Sequence, residues 1–336
     1  MTHCVNWKKK VFMLAFFMGI FDLLSGHLPE GHPEILSTRM IWDRAPHSAF
    51  TDLIEYQGTW YCVFREGECH AGGKNGVIRV LASNEGAWES VSVVAKEGVD
   101  MRDPKLSITP KNELMLLVGG VTSGEVRNTH VAFSSDGKKW TPLAKVLDNE
   151  WLWRVTWYKR KGYGVSYRVE EDSWPVTLFV TEDGLHYDKV KEFKIEGKPS
   201  ETTLRFTDTG QMVALMRRGS FPFGATLIGT SQSPYTNWTW HNTKTSFGGP
   251  NFLILPNGDM WASGRIMKFD EADELVERTT LAKMDVTSIT PVIDLPSGGE
   301  DTSYPGMVYK DGILWISYYS SHEENNSAIY LTRIQF

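Results

Sequence analysis

A polar or charged residue, an apolar strand, a turn and a second apolar strand recur six times along this chain. The units begin at Asp52 (DLIEYQGTWYCVFR), Asp103 (DPKLSITPKNELMLLVGG), Arg154 (RVTWYKRKGYGVSYR), Glu201 (ETTLRFTDTGQMVALMRR), Asn251 (NFLILPNGDMWASGR) and Tyr304 (YPGMVYKDGILWISYYS). Their interval is about fifty residues, a period that signals a repeat architecture. Most of the turns carry a glycine or asparagine, such as Asn257-Gly258 and Asp311-Gly312, which accept the positive φ of a tight hairpin. A third apolar strand follows each hairpin, over Val77–Ser83, Thr129–Ser134, Val176–Thr181, Ala225–Ser231, Arg278–Asp285 and Ser327–Ile334. No segment after the N-terminus sustains a period of 3.6, so no long helix is expected. Three or four strands per unit, repeated six times, predict an all-β fold, a six-bladed β-propeller. Residues 33–50 are expected to supply an edge strand that closes the last blade against the first.

The N-terminus breaks the pattern. Lys8, Lys9 and Lys10 precede an apolar run from Val11 to Phe21, as in a secretory signal peptide. The run is short for a membrane span. Residues 1–26 are therefore assigned to a signal peptide, with an N-terminal anchor as the alternative. Residues 27–336 are expected to form one propeller domain, monomeric, secreted or periplasmic, with no stable membrane insertion after cleavage.

Composition narrows the function. A net charge of −6 gives no reason to expect a nucleic-acid surface. Aromatic content is high, at 13 Trp, 12 Tyr and 16 Phe, and such side chains suit both pleated sheets and sugar stacking. Cys62 and Cys69 could pair in an oxidising compartment, although spacing alone does not establish it. No zinc-type spacing is present, and neither a metal nor a cofactor is predicted.

Ser134-Ser135-Asp136-Gly137-Lys138-Lys139-Trp140 fits the pattern S-x-D-G-x-x-W, the Asp-box of sialidase-type propellers. Degenerate copies occur at Ser83–Trp88 and Thr181–Tyr187. The acidic side chain can hold the turn's own N–H groups while the aromatic packs beneath, so the box is structural. With these boxes in register with the repeat, the chain resembles the sialidase (neuraminidase) superfamily over residues 40–336. The resemblance implies an arginine triad for the substrate carboxylate, a tyrosine nucleophile with a glutamate as its base, and an aspartate acid/base. Glu201 and Arg218 look like the family's Glu-strand-turn-strand-Arg unit. Arg265 looks like a second triad arginine, and Tyr304 sits where the family places its nucleophile. Two features depart from the pattern. Blade one has Thr51-Asp52 where the first triad arginine is expected. Its following loop, Glu66–Gly76, contains no aspartate and offers Glu66, Glu68 and His70.

In a propeller, the first strand of each blade lines the central channel. The unit starts above would therefore gather at one mouth, together with Arg65, Arg168, Arg218, Arg265 and His322 from the ends of the second strands. Such a convergence of charge is typical of a site. Tyr304, Glu201, Asp52, Asp103 and His70 are the catalytic candidates, the last three competing for the role of acid. Arg65, Arg102, Arg154, Arg218, Arg265 and Asn251 are the substrate-binding candidates. Each has a plainer reading. Tyr304 could be a packed channel aromatic, and Glu201 with Arg218 a structural ion pair. Asp103 before Pro104 could only start a turn, and His70 could be a solvated loop residue. Trp151 and Trp153 could wall a sugar site but read more simply as core, His322 reads as surface, and the loop Met267–Glu277 as a solvated acidic face, with a metal loop as the alternative.

Three functions fit. One is a sialidase-like exo-glycoside hydrolase acting on a glycan that bears an acidic sugar. The second is a lyase acting on a uronate glycan. The third is a glycan-binding propeller without catalysis.

Overall fold

Six four-stranded antiparallel sheets make up the fold. The computed structural model describes residues 32–71, 75–84, 86–122, 124–171, 173–219, 224–323 and 326–336. The signal peptide assigned to residues 1–26, Cys4 and Glu85 of the second box lie outside them. Five sheets take four consecutive strands each. The sixth takes Thr302–Lys310, Ile313–Ser320 and Ala328–Gln335 from the C-terminus and adds the N-terminal strand Glu34–Trp42 against the last of these. The predicted closing strand therefore forms, and the two ends of the chain lock the ring. Among the described residues no helix is long and apolar enough to cross a membrane.

The first, second and third strands of the blades fall close to their predicted positions. The fourth strands, such as Asp188–Phe193 (DKVKEF), were not identified individually. Each is an outer edge with about half of its side chains in water, so its sequence is polar and its periodicity weak. The acidic segment Met267–Glu277 is mostly not a loop. The strands Met260–Phe269 and Leu275–Met284 pair out to Phe269 and Leu275, leaving a short turn between them. Polar residues form this extension because its tip projects beyond the core.

Aromatic side chains weld blade to blade. Tyr158 stacks on Phe206 at 4.3 Å, and Trp60 meets Trp315 at 4.7 Å. Each such side chain buries on the order of 150–250 Å². Cys62 is a free thiol, fully buried, so the Cys62–Cys69 pairing does not form. Asp136 accepts hydrogen bonds from the N–H groups of Lys138 and Lys139, both at 2.8 Å, which pins the turn between strands. Asp183 does the same for Leu185 and His186.

Polar contacts bind the inner strands around the channel. Thr51 Oγ1 donates to the Tyr304 carbonyl at 2.7 Å, Thr156 to Leu204 at 2.8 Å, and Thr203 to Pro250 at 2.9 Å. Asn251 Nδ2 donates to the Pro305 carbonyl at 3.0 Å. These bonds satisfy backbone groups that the blades' own ladders leave unpaired at the channel.

Candidate active site

The residues expected to start the inner strands lie instead inside them, at a bulge that every blade repeats. Pairing register shifts between Ala49 and Asp52, Arg102 and Lys105, Leu152 and Val155, Pro199 and Thr202, Gly248 and Asn251, and Ser303 and Gly306. Bulged residues are released from the pleat and can be re-aimed. Phe50, Asp103, Trp153, Glu201, Gly249 and Tyr304 all occupy these bulges. Phe50, Asp103, Gly249 and Tyr304 take positive φ values of 64°, 51°, 59° and 54°. For a bulky aromatic this is a genuine outlier, of the kind that clusters at functional sites. The sequence did carry a signal: Pro104, Pro250 and Pro305 sit within strands, where proline is tolerated chiefly at bulges and edges.

The bulges bring Tyr304 and Glu201 together. Tyr304 Oη donates to Glu201 Oε1 at 2.6 Å. Arg217 Nη1 donates to the same oxygen at 2.7 Å, and the Gly249 N–H to Glu201 Oε2 at 2.8 Å. Burial would push the Glu201 carboxyl up. The Arg217 charge and the hydrogen bonds from Arg217, Tyr304 and Gly249 outweigh it and hold the group below its ordinary value. Burial, reinforced by the Glu201 charge, pushes the Tyr304 phenol well above its ordinary range. The resting pair is a neutral phenol donating to a carboxylate. Position 249 admits little but glycine: a Cβ there would lie 2.8 Å from the Tyr304 ring. Gly249→Ala is expected to displace the ring and lower turnover on the order of 10²-fold, as a misplacement near 1 Å does. Steady-state kinetics on the folded variant checks this.

Arg217, not Arg218, meets Glu201. Neighbouring strand residues face opposite ways, and the Arg-Arg pair in sequence gave no means of choosing. Arg218 Nε donates instead to the Ala225 carbonyl at 3.2 Å.

Of the three candidate acids, Asp103 is the one left available. Its Oδ2 accepts the Trp151 indole N–H at 3.0 Å, while its Oδ1 is buried without a partner. Burial raises its carboxyl, with Lys105 opposing and Glu201 adding to the rise. Lys105 lies 4.6 Å from the Trp153 ring and 5.8 Å from that of Tyr304. Burial lowers this ammonium to about 8, against the pull of Asp103 and Asp52. Sequence reasoning missed Lys105 and Arg217, which no motif marks. Trp153 is core as expected, yet its ring also stands 5.5 Å from that of Tyr304.

Asp52 is held as a structural anion. Both its oxygens accept from Arg154, at 2.8 and 2.9 Å, and Oδ2 also takes the Leu106 N–H at 2.7 Å. It latches blades one, two and three, and Arg154 is used up in doing so. Arg65 is fully buried, donating to Asp100 Oδ1 and to the Cys69 carbonyl, so it cannot grip a substrate. Arg102 holds the other Asp100 oxygen at 2.7 Å. Asn251 is equally committed, to Arg205, the Phe252 N–H and Pro305. Burial of an ion or amide requires a partner: other blades supply it for Arg65, Arg154 and Asn251, and Arg102 finds its own on the same strand.

His70 is not simply solvated. Its Nδ1 lies 2.6 Å from Asp301 Oδ2, and its ring meets Phe50 edge-on at 4.9 Å. Phe50 in turn meets Tyr304 at 4.9 Å, so it stands between His70 and the Tyr304–Glu201 pair. Arg265 approaches Glu277 at 3.3 Å and Asp301 at 3.5 Å, and it retains some exposure at the mouth. His322 bonds to Ser320 Oγ, away from this cluster.

No family model matches the sequence, and comparison with curated proteins finds no match. Solved structures do match. A protein of unknown function from Dyadobacter fermentans superposes with a TM-score of 0.76 at 17% identity, covering 91% of this chain and 100% of that one. The GH93 α-L-arabinofuranosidase of Fusarium graminearum, solved with arabinobiose, gives 0.69 at 15% identity over 90% and 98% of the two chains. Trypanosoma rangeli sialidase gives 0.66 at 12% identity over 91% of this chain and 60% of its own. The chain thus shares the six-bladed β-propeller fold of these structures.

Proposed function

We propose that this protein is a glycoside hydrolase that works through Tyr304 as nucleophile. The observation that carries the reading is the 2.6 Å hydrogen bond from Tyr304 to a Glu201 carboxylate held by Arg217 and the Gly249 N–H. A phenol so placed can lose its proton to Glu201 as its oxygen attacks an anomeric carbon. The leaving oxygen takes the proton of Asp103, whose raised carboxyl supplies it at higher pH than an ordinary aspartate. Water then cleaves the glycosyl–tyrosine bond and gives its proton to the Asp103 carboxylate, while the departing Tyr304 oxygen takes its proton back from Glu201. Two displacements retain the anomeric configuration. Glycosidases on the same fold support the reaction class. We assign an acidic sugar as the substrate, because a neutral tyrosine avoids the repulsion a carboxylate nucleophile would meet. Arg265 and Lys105 supply cationic charge near the reacting pair.

The test is a panel of sialosides, other acidic-sugar glycosides, arabinofuranosides and uronate polysaccharides, read for released sugar and for unsaturated-product absorbance. Release of an acidic sugar supports the full reading. Release from arabinofuranosides alone keeps the hydrolase and removes the acidic substrate. Unsaturated product makes the protein a lyase, and binding without turnover makes it a lectin.

The reading fixes the sign of the pH profile. Turnover needs Glu201 ionised, so it falls as pH drops through a value below the ordinary glutamate range. It also needs Asp103 protonated, so it falls as pH rises through a value above the ordinary aspartate range. Asp103→Asn is expected to lower kcat on the order of 10²–10⁴-fold for substrates with poor leaving groups and to abolish the alkaline limb. A kcat–pH profile that keeps that limb in the variant would exclude Asp103 as the acid.

A further inference from the structure

The geometry points to a binding site for one zinc-class divalent metal ion, made by His47, His70 and Asp301 where blade six closes on blade one. Their donor atoms lie within 4.8 Å of one another. Asp301 Oδ2 is 3.2 Å from His47 Nε2 and 2.6 Å from His70 Nδ1. Two imidazoles and one carboxylate form a ligand set that suits zinc and leaves a fourth position open.

Two observations separate this cluster from an ordinary ion pair. The first is His47. Its Nε2 is buried and makes no hydrogen bond, although it faces the carboxylate, and the residue is only 9% exposed. A buried ring nitrogen that sits 3.2 Å from a carboxylate without hydrogen-bonding to it leaves room for a ligand between the two. The second is the support behind Asp301. Tyr319 Oη donates to its Oδ1 at 2.8 Å, leaving Oδ2 for the two histidines. Orientation of a ligating carboxylate by an outer hydrogen bond is a regular feature of metal sites. The backbones are fixed as well. His47 bridges to Ser327, and the Asp301 N–H donates to Ser321 Oγ at 3.1 Å. His70, whose side chain is 42% exposed, can rotate to complete the coordination and leaves the site open to the mouth. Sequence spacing could not reveal this set, because Asp301 stands 231 residues from His70.

The cluster lies against Phe50, across which stands Tyr304. Arg265 already approaches Asp301 Oδ1 at 3.5 Å, so a metal held at Oδ2 would add a second positive charge at this side of the mouth. A sugar carboxylate as fourth ligand is the role that follows, and that role alone rests on the function proposed above.

The test uses the protein stripped with chelator and titrated with zinc chloride by calorimetry, then with cobalt(II) chloride followed by visible absorption. One zinc per chain and the absorption of a tetrahedral cobalt site are expected. His70→Ala, at a half-exposed side chain that the fold tolerates losing, should abolish both. Tyr319→Phe should weaken zinc binding by ~10–100-fold, as loss of an outer-shell partner does. His186→Ala, at an exposed histidine elsewhere, should change nothing. Absence of zinc uptake by the folded protein, or stoichiometric uptake that survives His70→Ala, overturns the site. Zinc bound with no effect on any glycoside leaves the site standing and removes only its role with substrate.

Discussion

Tyr304→Phe will remove turnover and leave the fold in place. The substitution deletes one oxygen. The ring keeps its contacts with Phe50, Trp153 and Tyr319. Glu201 keeps Arg217 and the Gly249 N–H, so no buried charge is stranded. The stability cost is that of one hydrogen bond to a charged group, about 1.5–3 kcal/mol. Loss of a nucleophile is far larger, on the order of 10³–10⁶-fold in kcat. A substrate identified by the glycoside panel, assayed with wild type and variant side by side, decides it. Turnover within tenfold of wild type would make Tyr304 a packed channel aromatic after all. Glu201→Gln should also fall steeply in rate, but it additionally leaves the Arg217 guanidinium without its anion, so its stability must be measured alongside.

The second large effect concerns stability rather than rate. Asp52→Ala strands Arg154, which is only 6% exposed, beside a Leu106 N–H that has lost its acceptor. Breaking a buried pair from one side costs ~3–5 kcal/mol, because the remaining charge stays desolvated. Denaturant unfolding should show a lowered midpoint of that size. The milder Asp52→Asn keeps the shape and an acceptor for Leu106, and below its unfolding midpoint it should retain wild-type kcat. A folded Asp52→Asn protein with kcat down by 10²-fold would instead return Asp52 to the role of acid. Replacing Asp52 and Arg154 together by apolar residues of similar volume should recover much of the loss, since no unpaired ion then remains.

These two aspartates show where reading the chain stopped. Asp52 and Asp103 open equivalent units in the sequence, and the proline after Asp103 marks its backbone without saying which carboxylate will be paired. The fold gives one a bidentate arginine and the other a single indole N–H with an oxygen to spare. The same holds for Arg217 and Arg218, which differ only in the face of the strand they occupy.

What the sequence determined by itself was everything with a local cause. Apolar alternation and turn glycines defined the strands, and the fifty-residue period defined six blades; the prolines after Asp103, Gly249 and Tyr304 carry a signal for the bulges that became legible only in the structure. The pairing of Tyr304 with Glu201 was legible only through resemblance, and its geometry came from the bulges. Tertiary structure alone decided which charges neutralise one another. Arg65 turned inward to Asp100, Arg154 to Asp52, and His47 came to face His70 and Asp301 across the closure of the ring. Burial sets those choices: a desolvated charge takes the nearest partner in space, and closing a ring of blades makes neighbours of residues that the chain holds far apart.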